Sequence, residues 1–452
     1  MFAQELTVLR DTFRRLLRRH ASANLRKLIE KTHPADMAFV FRFLSEEEQS
    51  TLFALMEPSE PTAEFLSELD ESILTELLKD ERPERIVEII RQDSSNIRAH
   101  ILGMLPDDLV NAVLERLQEE EQEEVEEIMA YPKDSAGALM DTDVFTLSAS
   151  TLAREAIAAL QDHAHAGMVF YLYVTDENQR LVGVISLRDL VTTAPDTQLD
   201  SIMVRNVHTV VPETDQEEVA RILTRYNFLA LPVVDIEGTL LGIVNVDEIV
   251  DVIREEATED FLRMAGVGKD REILLKSTWE NAKSRLPWLF ASWLGGIVAA
   301  TIIGSYEQTL EKVIALAAFI PVVIGMGGNI GTQSSTIIVR GIATGRVVFG
   351  NAAHIILKEL RVGLLLGLFY GLLLGLVAHL QFLENGILLG VAVGLSVGGS
   401  MLLAATVGTF VPLILERMHI DPAIATGPFV TTSVDILGVL FYFAIATLLL
   451  SI

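Results

Sequence analysis

Apolar and polar positions follow three different schemes along the 452-residue chain. Over residues 1–130 apolar residues recur at helical spacing, as in Ala38-Phe39-Val40-Phe41, Leu52-Phe53-Ala54-Leu55, Ile86-Val87-Ile89-Ile90 and Leu109-Val110-Val113-Leu114-Leu117. Pro34, Pro61, Pro83 and Pro106, each with Asp, Ser or Glu nearby, are helix-start signals. Short helical hairpins recurring at roughly 25-residue intervals predict a small helical-repeat layer. The acidic run Glu119–Glu127 reads as a solvated helix face, and Asp134-Ser135-Ala136-Gly137-Ala138 as a linker. The first domain is therefore expected over 1–132.

From 138 to 256 the pattern shortens and repeats. Leu139-Met140…Thr146 and Ile202-Met203…Thr209 open the two copies. An amphipathic helix follows in each, then two strands and a helix, within YLYVTDENQRLVGVISLRDLV and LPVVDIEGTLLGIVNVDEIV. Two β-α-β-β-α units, about 138–198 and 200–256 within a 133–256 domain, resemble a tandem CBS-domain pair. Many such pairs hold adenosine nucleotides in the clefts between the copies. Residues 246–280 read as one long acidic connecting helix.

Beyond it lies a domain expected over 284–452. Residues 287–305, 313–339, 362–380, 386–415 and 423–450 are almost free of charge, and each reaches the ~20 residues a spanning helix needs. Segment 341–359 reads as a separate interfacial helix. The fold class is thus a multidomain membrane protein, with an α-helical repeat domain, an α/β CBS pair and five transmembrane helices.

Charge sharpens this division. Residues 286–452 hold 6 Lys/Arg and 7 Asp/Glu, against totals of 35 and 62, leaving 29 and 55 on residues 1–285. Nearly the whole net charge of −27 sits on the first part, a surface that attracts cations and repels nucleic acid and anionic lipid headgroups. Lys276, Lys283 and Arg285 precede the first span, and Arg340, Arg346, Lys358 and Arg361 fall between the second and third. Basic loops mark the cytoplasmic side. The expectation is a multi-pass protein of the cytoplasmic (inner) membrane, N-terminus inside and Ile452 outside. The N-terminal stretch has no apolar signal-peptide core.

Chemistry-bearing motifs are few. There is no Cys, which removes thiolate sites and disulfides. No hydrolase, kinase or phosphate-loop motif occurs, and the nine His form no metal-ligand spacing, His163 and His165 lying two apart. An enzyme is not expected. The second span holds Pro321, Gly327-Gly328-Asn329, Gly331 and the hydroxyl and amide residues 332–336. These fit equally a close helix contact or unwound backbone beside a water-filled path. In the fifth span Asp435, after Thr431-Thr432-Ser433-Val434, is the one acid well inside any expected span, with no Lys or Arg at its depth. A charge there is costly unless paired or wet, which favours a cation path over a protonated structural Asp.

Taken in order, the acidic helical domain, the Asp134-Ser135-Ala136-Gly137-x-Leu139-Met140 junction, the CBS repeats, the connecting helix, Pro321…Gly327-Gly328-Asn329 and Thr431-Thr432-Ser433-Val434-Asp435-x-x-Gly438 resemble the MgtE family of magnesium transporters. The resemblance implies a homodimer with one pore on its two-fold axis, lined by the second and fifth spans. Asp435 would bind hydrated Mg²⁺, with Gly328, Asn329, Thr431 and Thr432 beside it. It also implies closure by cytoplasmic Mg²⁺ held among Glu60, Asp93, Glu217, Asp247, Asp251, Glu256, Glu259, Asp260 and Asp421. ATP is the implied regulatory ligand of the CBS pair. Ribose recognition there needs an acid after Gly-x-x-Ser/Thr. Gly183…Ser186-Leu187-Arg188-Asp189 fits, while Gly242…Asn245-Val246-Asp247-Glu248 departs, so one nucleotide per chain is expected. Tyr171 and Phe228 either stack on its base or serve the core. The alternatives are a CBS-regulated transporter of another divalent cation (Mn²⁺, Co²⁺) or of an organic solute, and a membrane-anchored nucleotide sensor.

Overall fold

The computed structural model describes residues 2–91, 93–162, 169–267, 277–347 and 352–450. His163, His165, Lys276 and Ile452, used above, lie outside the described residues. The chain divides into two compact units, residues 1–253 and 254–452.

The first unit begins with short helices, from α1 (Phe2–Arg18) through α2 (Ser22–Ile29), α3 (Pro34–Phe41), α4 (Glu46–Phe53), α5 (Glu60–Ser67), α6 (Glu71–Leu78), α7 (Pro83–Ile90), α8 (Ser95–Gly103) and α9 (Asp107–Leu114) to α10 (Glu119–Ala130). Proline at the first turn, where its missing N–H costs nothing, starts α3, α5 and α7. A capping box between Ser45 and Glu48 starts α4. Eight-residue helices are too short to persist alone. They are held by one continuous core in which Phe13, Phe41, Phe65, Leu74 and Ile89 are fully buried.

After α11 (Ala136–Leu139) the two α/β copies follow. In the first, β1 (Thr146–Ser148) runs parallel to β2 (Tyr171–Thr175), which pairs antiparallel with β3 (Leu181–Ser186). In the second, β4 (Ala230–Val234) pairs antiparallel with β5 (Leu240–Asn245). Registers match copy for copy: Tyr171 opposes Ser186 as Ala230 opposes Asn245, and Val174 opposes Gly183 as Val233 opposes Gly242. Helices α12 (Ala153–Asp162), α13 (Leu187–Thr192) and α14 (Gln216–Tyr226) complete the copies. The glycines matter at one point of exchange. Met203 of the second copy packs on Gly183 of the first, and Met140 of the first on Gly242 of the second, where added methyls would fall 2.5 and 3.0 Å from the methionine side chains.

Helix α15 (Val246–Met264) contributes Ile249 and Val252 to the core of the second copy and ends earlier than the sequence reading placed it. Gly266 takes a left-handed conformation (φ 69°), and its N–H and that of Val267 close on Arg263 and Leu262 carbonyls, which stops the helix. A new helix, α16 (Thr278–Ser305), opens under a Ser277–Glu280 capping box. The expected single helix over 246–280 is therefore two.

The second unit continues with α17 (Glu307–Lys312), α18 (Ile320–Ala343), α19 (Ala352–Gln381), α20 (Gly386–Arg417) and α21 (Val430–Leu450). Five helices, among the described residues, are long and apolar enough to cross a membrane. The separate interfacial helix expected over 341–359 is not what forms. Residues 352–381 are one helix, because no Pro or Gly separates Ala353 from Val362. It packs along α20 through Gly367, Gly371 and Gly375, where a methyl would lie 2.5–2.7 Å from the carbonyls of Gly398, Gly394 and Gly390.

Candidate ion pathway and its control sites

Gly327 and Gly331 are buried on one face of α18 and receive Val434 and Val430 of α21, each at 3.1–3.3 Å from where a methyl would sit. This i, i+4 fit sets the two helices in close contact. It places Asp435, half-buried, against the backbone of Gly328, with Oδ1 3.9 Å from that residue's missing methyl. Among the described residues Asp435 has no hydrogen-bond or ion-pair partner. On α18 the exposed positions form a stripe one turn apart, Pro321, Gly325, Asn329, Gln333 and Ile337, with Arg340 beyond it. Asn329 thus lies on the uncovered face, one residue from the Gly328–Asp435 contact. The two threonines are engaged elsewhere. Thr431 Oγ1 donates to the carbonyls of Pro428 and Gly427 (3.2 and 3.4 Å), and the Thr432 side chain packs on Gly295 of α16.

The segment feeding α21 is kinked. Residues Ala425–Phe429 form a π-turn with non-helical Gly427 and with Pro428, so backbone carbonyls are released there. Within the same unit the end of α15 meets this kink: Gly266 and Pro428 are in contact, and Gly427 lies beside the Arg263 carbonyl. Arg263, 9% exposed, pairs with both Glu259 and Asp421. Asp421 also accepts the Ala423 N–H at 2.8 Å. Two of the nine acids expected to hold regulatory cations are therefore neutralised by an arginine that the sequence reading passed over. Its i+4 spacing from Glu259 was the available signal. Asp260 is pushed above the usual carboxylate range by burial and by Glu256, with Arg263 and Arg340 opposing.

In the first unit carboxylates crowd together. Burial raises Asp93, and Glu60 adds to it, against the Ser94 N–H that donates to Asp93 at 2.9 Å. Glu64 is raised by burial and by the charges of Asp93 and Glu60. Asp141 is raised by burial, then by Asp143 and Asp93. Glu248 is pushed up to about 7, first by burial and then by Asp247, with Asp251 and Asp141 adding. Glu217 stands exposed at the start of α14, its N–H donated to Asp215. Among the described residues no three His, Asp or Glu converge as a direct ligand set. Glu64, Asp141 and Glu248 belong to the same crowd; the first two were not named from the sequence, and Glu248 was named only as the departing acid of the second CBS motif.

The two CBS motifs are engaged differently. In the first motif Ser186 caps α13: its Oγ accepts the Asp189 N–H at 3.1 Å and donates to Asp189 Oδ2 at 2.6 Å. Arg188 and Asp189 are exposed. Tyr171 lies opposite Ser186 across the strand pair, and its hydroxyl accepts the Leu229 N–H at 3.5 Å. That brings in Phe228, which joins Tyr226 and His208 in a stack with centroids 4.4–5.6 Å apart. His208 and Tyr226 were not anticipated. In the second motif Glu248 is already used: it accepts the Asn96 side-chain amide of α8 at 3.0 Å, beside a Ser95–Thr142 hydroxyl pair at 2.8 Å.

Family models match the chain in the same order: an MgtE intracellular N domain over 32–134, CBS domains over 136–196 and 199–255, and a divalent cation transporter domain over 320–445. The magnesium transporter MgtE of Bacillus subtilis is 34% identical over 434 residues, 96% of this chain and 95% of that protein. The MgtE of Thermus thermophilus is 37% identical over 433 residues, 94% and 95% of the two chains. Among solved structures, the soluble part of a magnesium transporter is similar at 31% identity and TM-score 0.51, covering 56% of this chain and 99% of that one. The cytosolic domain of the Mg²⁺ channel MgtE in complex with ATP is similar at 35% and 0.52, covering 54% and 99%. These relatives are named as transporters rather than enzymes. With an unpaired acid on a five-helix membrane unit and two CBS copies behind a helical domain, the chain is a multi-pass membrane protein that belongs to the MgtE family of magnesium transporters.

Proposed function

We propose that this protein is a Mg²⁺ channel of the cytoplasmic membrane that admits Mg²⁺ to the cell and is closed by Mg²⁺ on the cytoplasmic side. The observation that carries the reading is Asp435, unpaired beside Gly328 on a helix long and apolar enough to span a membrane. A carboxylate so placed is stabilised by a passing cation. In a homodimer two such carboxylates face one axis and hold Mg²⁺ through its waters, since Mg²⁺ sheds them reluctantly. Glycine keeps that point narrow, and Asn329 on the uncovered face of α18 adds an oxygen. Basic residues between the second and third spans support a soluble unit in the cytoplasm and a C-terminus outside.

Closure follows from the crowded acids. Without a divalent cation Glu60, Asp93, Glu217, Asp247, Asp251, Glu256 and Asp260 repel; bridged by hydrated Mg²⁺ they draw together. Helix α15 carries part of that set and ends against Gly427 and Pro428, the kink that leads into α21 and Asp435. A shift at its far end has a short route to the pore. ATP binds once per chain, in the cleft of Ser186, Arg188, Asp189, Tyr171 and Phe228.

The test is ion flux through purified protein in liposomes. Mg²⁺ entry is expected, and millimolar Mg²⁺ on the soluble side should stop it. No flux, or flux indifferent to Mg²⁺ on that side, contradicts the proposal. Equal flux of Mn²⁺ or Co²⁺ would favour a general divalent channel, since the oxygen ligands suit any hard cation.

A further inference from the structure

We infer that Glu359 is a positioning residue of the ion path, fixing the rotation of α18 through its contact with Ser334. Glu359 is 6% exposed within α19, on a helix long and apolar enough to span the membrane. Its sequence neighbours Lys358 and Arg361 are exposed, and among the described residues it makes no ion pair. Its partner is a hydroxyl: Ser334 Oγ, 3% exposed on α18, donates to Glu359 Oε2 at 3.1 Å.

The contact continues an antiparallel packing. One turn away, Ile338 and Ile342 of α18 meet Ile355 and Ile356 of α19 and Leu413 of α20. Side chains at the Ser334–Glu359 level had only to be apolar to extend that cluster. A carboxyl there adds direction, since a hydrogen bond is lost on rotation whereas an apolar contact is re-formed. The next residue supplies a second anchor: Ser335 Oγ lies 3.0 Å from Thr426 Oγ1, in the kinked segment before α21. Adjacent residues on a helix point about 100° apart, so α18 is held from two directions. What those anchors set is the exposed stripe of Gly325, Asn329 and Gln333 on the same helix, and the facing of Gly328 to Asp435. A slip of one residue would turn Ile330 to the place of Asn329.

This inference rests on α18 lining the path, which wild-type flux tests; the variants test the positioning role. Glu359→Gln keeps an acceptor for Ser334 and should retain flux within about twofold, while Glu359→Leu should lose about tenfold with unchanged yield and assembly. Ser334→Ala should lose a similar amount, Ser334→Thr should not, and adding Ser334→Ala to Glu359→Leu should cost nothing more. Should Glu359→Leu not assemble, the Ser334→Ala and Ser334→Thr pair carries the test. Wild-type flux in Glu359→Leu, a Gln variant as impaired as Leu, Ser334→Thr as impaired as Ser334→Ala, or additive losses in the double variant would each overturn it.

Discussion

The two units handle carboxylates in opposite ways. In the soluble unit acids stand so close that burial and mutual repulsion raise Glu64, Asp93, Asp141 and Glu248 together. Among the described residues of the membrane-spanning helices Asp435 is alone beside a glycine, and Glu359 is turned onto a single serine. In the proposed function the crowd is the sensor, in which each acid is replaceable and the ensemble responds to cation concentration. The isolated acids are there a conduction site and a fixed joint, where one group has one task. Removing a lone acid should therefore change function outright, and removing one of a crowd should shift it slightly.

The sharpest contrast within the soluble unit concerns two acids at matching positions of the CBS copies. Asp189→Ala should weaken ATP binding by about 100-fold, because it removes the exposed acid of the first motif. Glu248→Ala should leave it within about threefold, since that carboxylate serves Asn96. Calorimetry on the purified chain decides it, and equal effects of the two changes would erase the distinction between the clefts.

Next in size is Arg263→Ala. It leaves Glu259 and Asp421 facing each other without their cation, a loss of about 2 kcal/mol after allowing for partial exposure. Millimolar Mg²⁺ should restore the melting temperature in the variant more than it raises that of the wild type. Identical Mg²⁺ responses would mean that these two acids do not take up the ion.

Glu248 gives a pH signature. Its pKa rises from 4.5 to about 7 in the folded protein, so the folded chain keeps a proton that the unfolded chain has lost. Stability should fall as pH climbs from 4.5 toward 7 and level off above, by on the order of 1–3 kcal/mol. Glu248→Gln should flatten that slope in hydrogen exchange of α8, and an unchanged slope would assign it to Asp93 or Asp141. Smallest of all, Asp247→Asn or Asp251→Asn alone should move the Mg²⁺ threshold by about twofold or less, measured as flux.

Much of this was legible in the sequence for physical reasons. Charge-free runs of spanning length, the Met140/Met203 and Gly183/Gly242 repeat, and an acid without a basic neighbour at its depth are all local signals. What was missed depends on distance in the chain. Arg263 meets Asp421, and Asn96 meets Glu248, across more than a hundred residues that no periodicity spans. Glu359 escaped because it was placed at the end of a separate interfacial helix over 341–359, outside the span expected from 362, whereas one helix runs through Ala352–Gln381. The break at Gly266 had a visible marker, a glycine after the last apolar turn, which the reading of one acidic helix over 246–280 passed over.

The comparison between lone and crowded acids is tested most directly by one variant measured in two ways. In the proposed dimer Asp435→Asn removes both pore charges and keeps the shape of the side chain. In liposomes it should lose Mg²⁺ flux almost entirely, by several kcal/mol of lost attraction at the effective dielectric of protein interiors. In the same preparation, millimolar Mg²⁺ should still protect residues 246–265 from protease to the extent expected of the wild type. Loss of flux with protection retained is the result this account predicts; near-normal flux, or loss of both together, would contradict it.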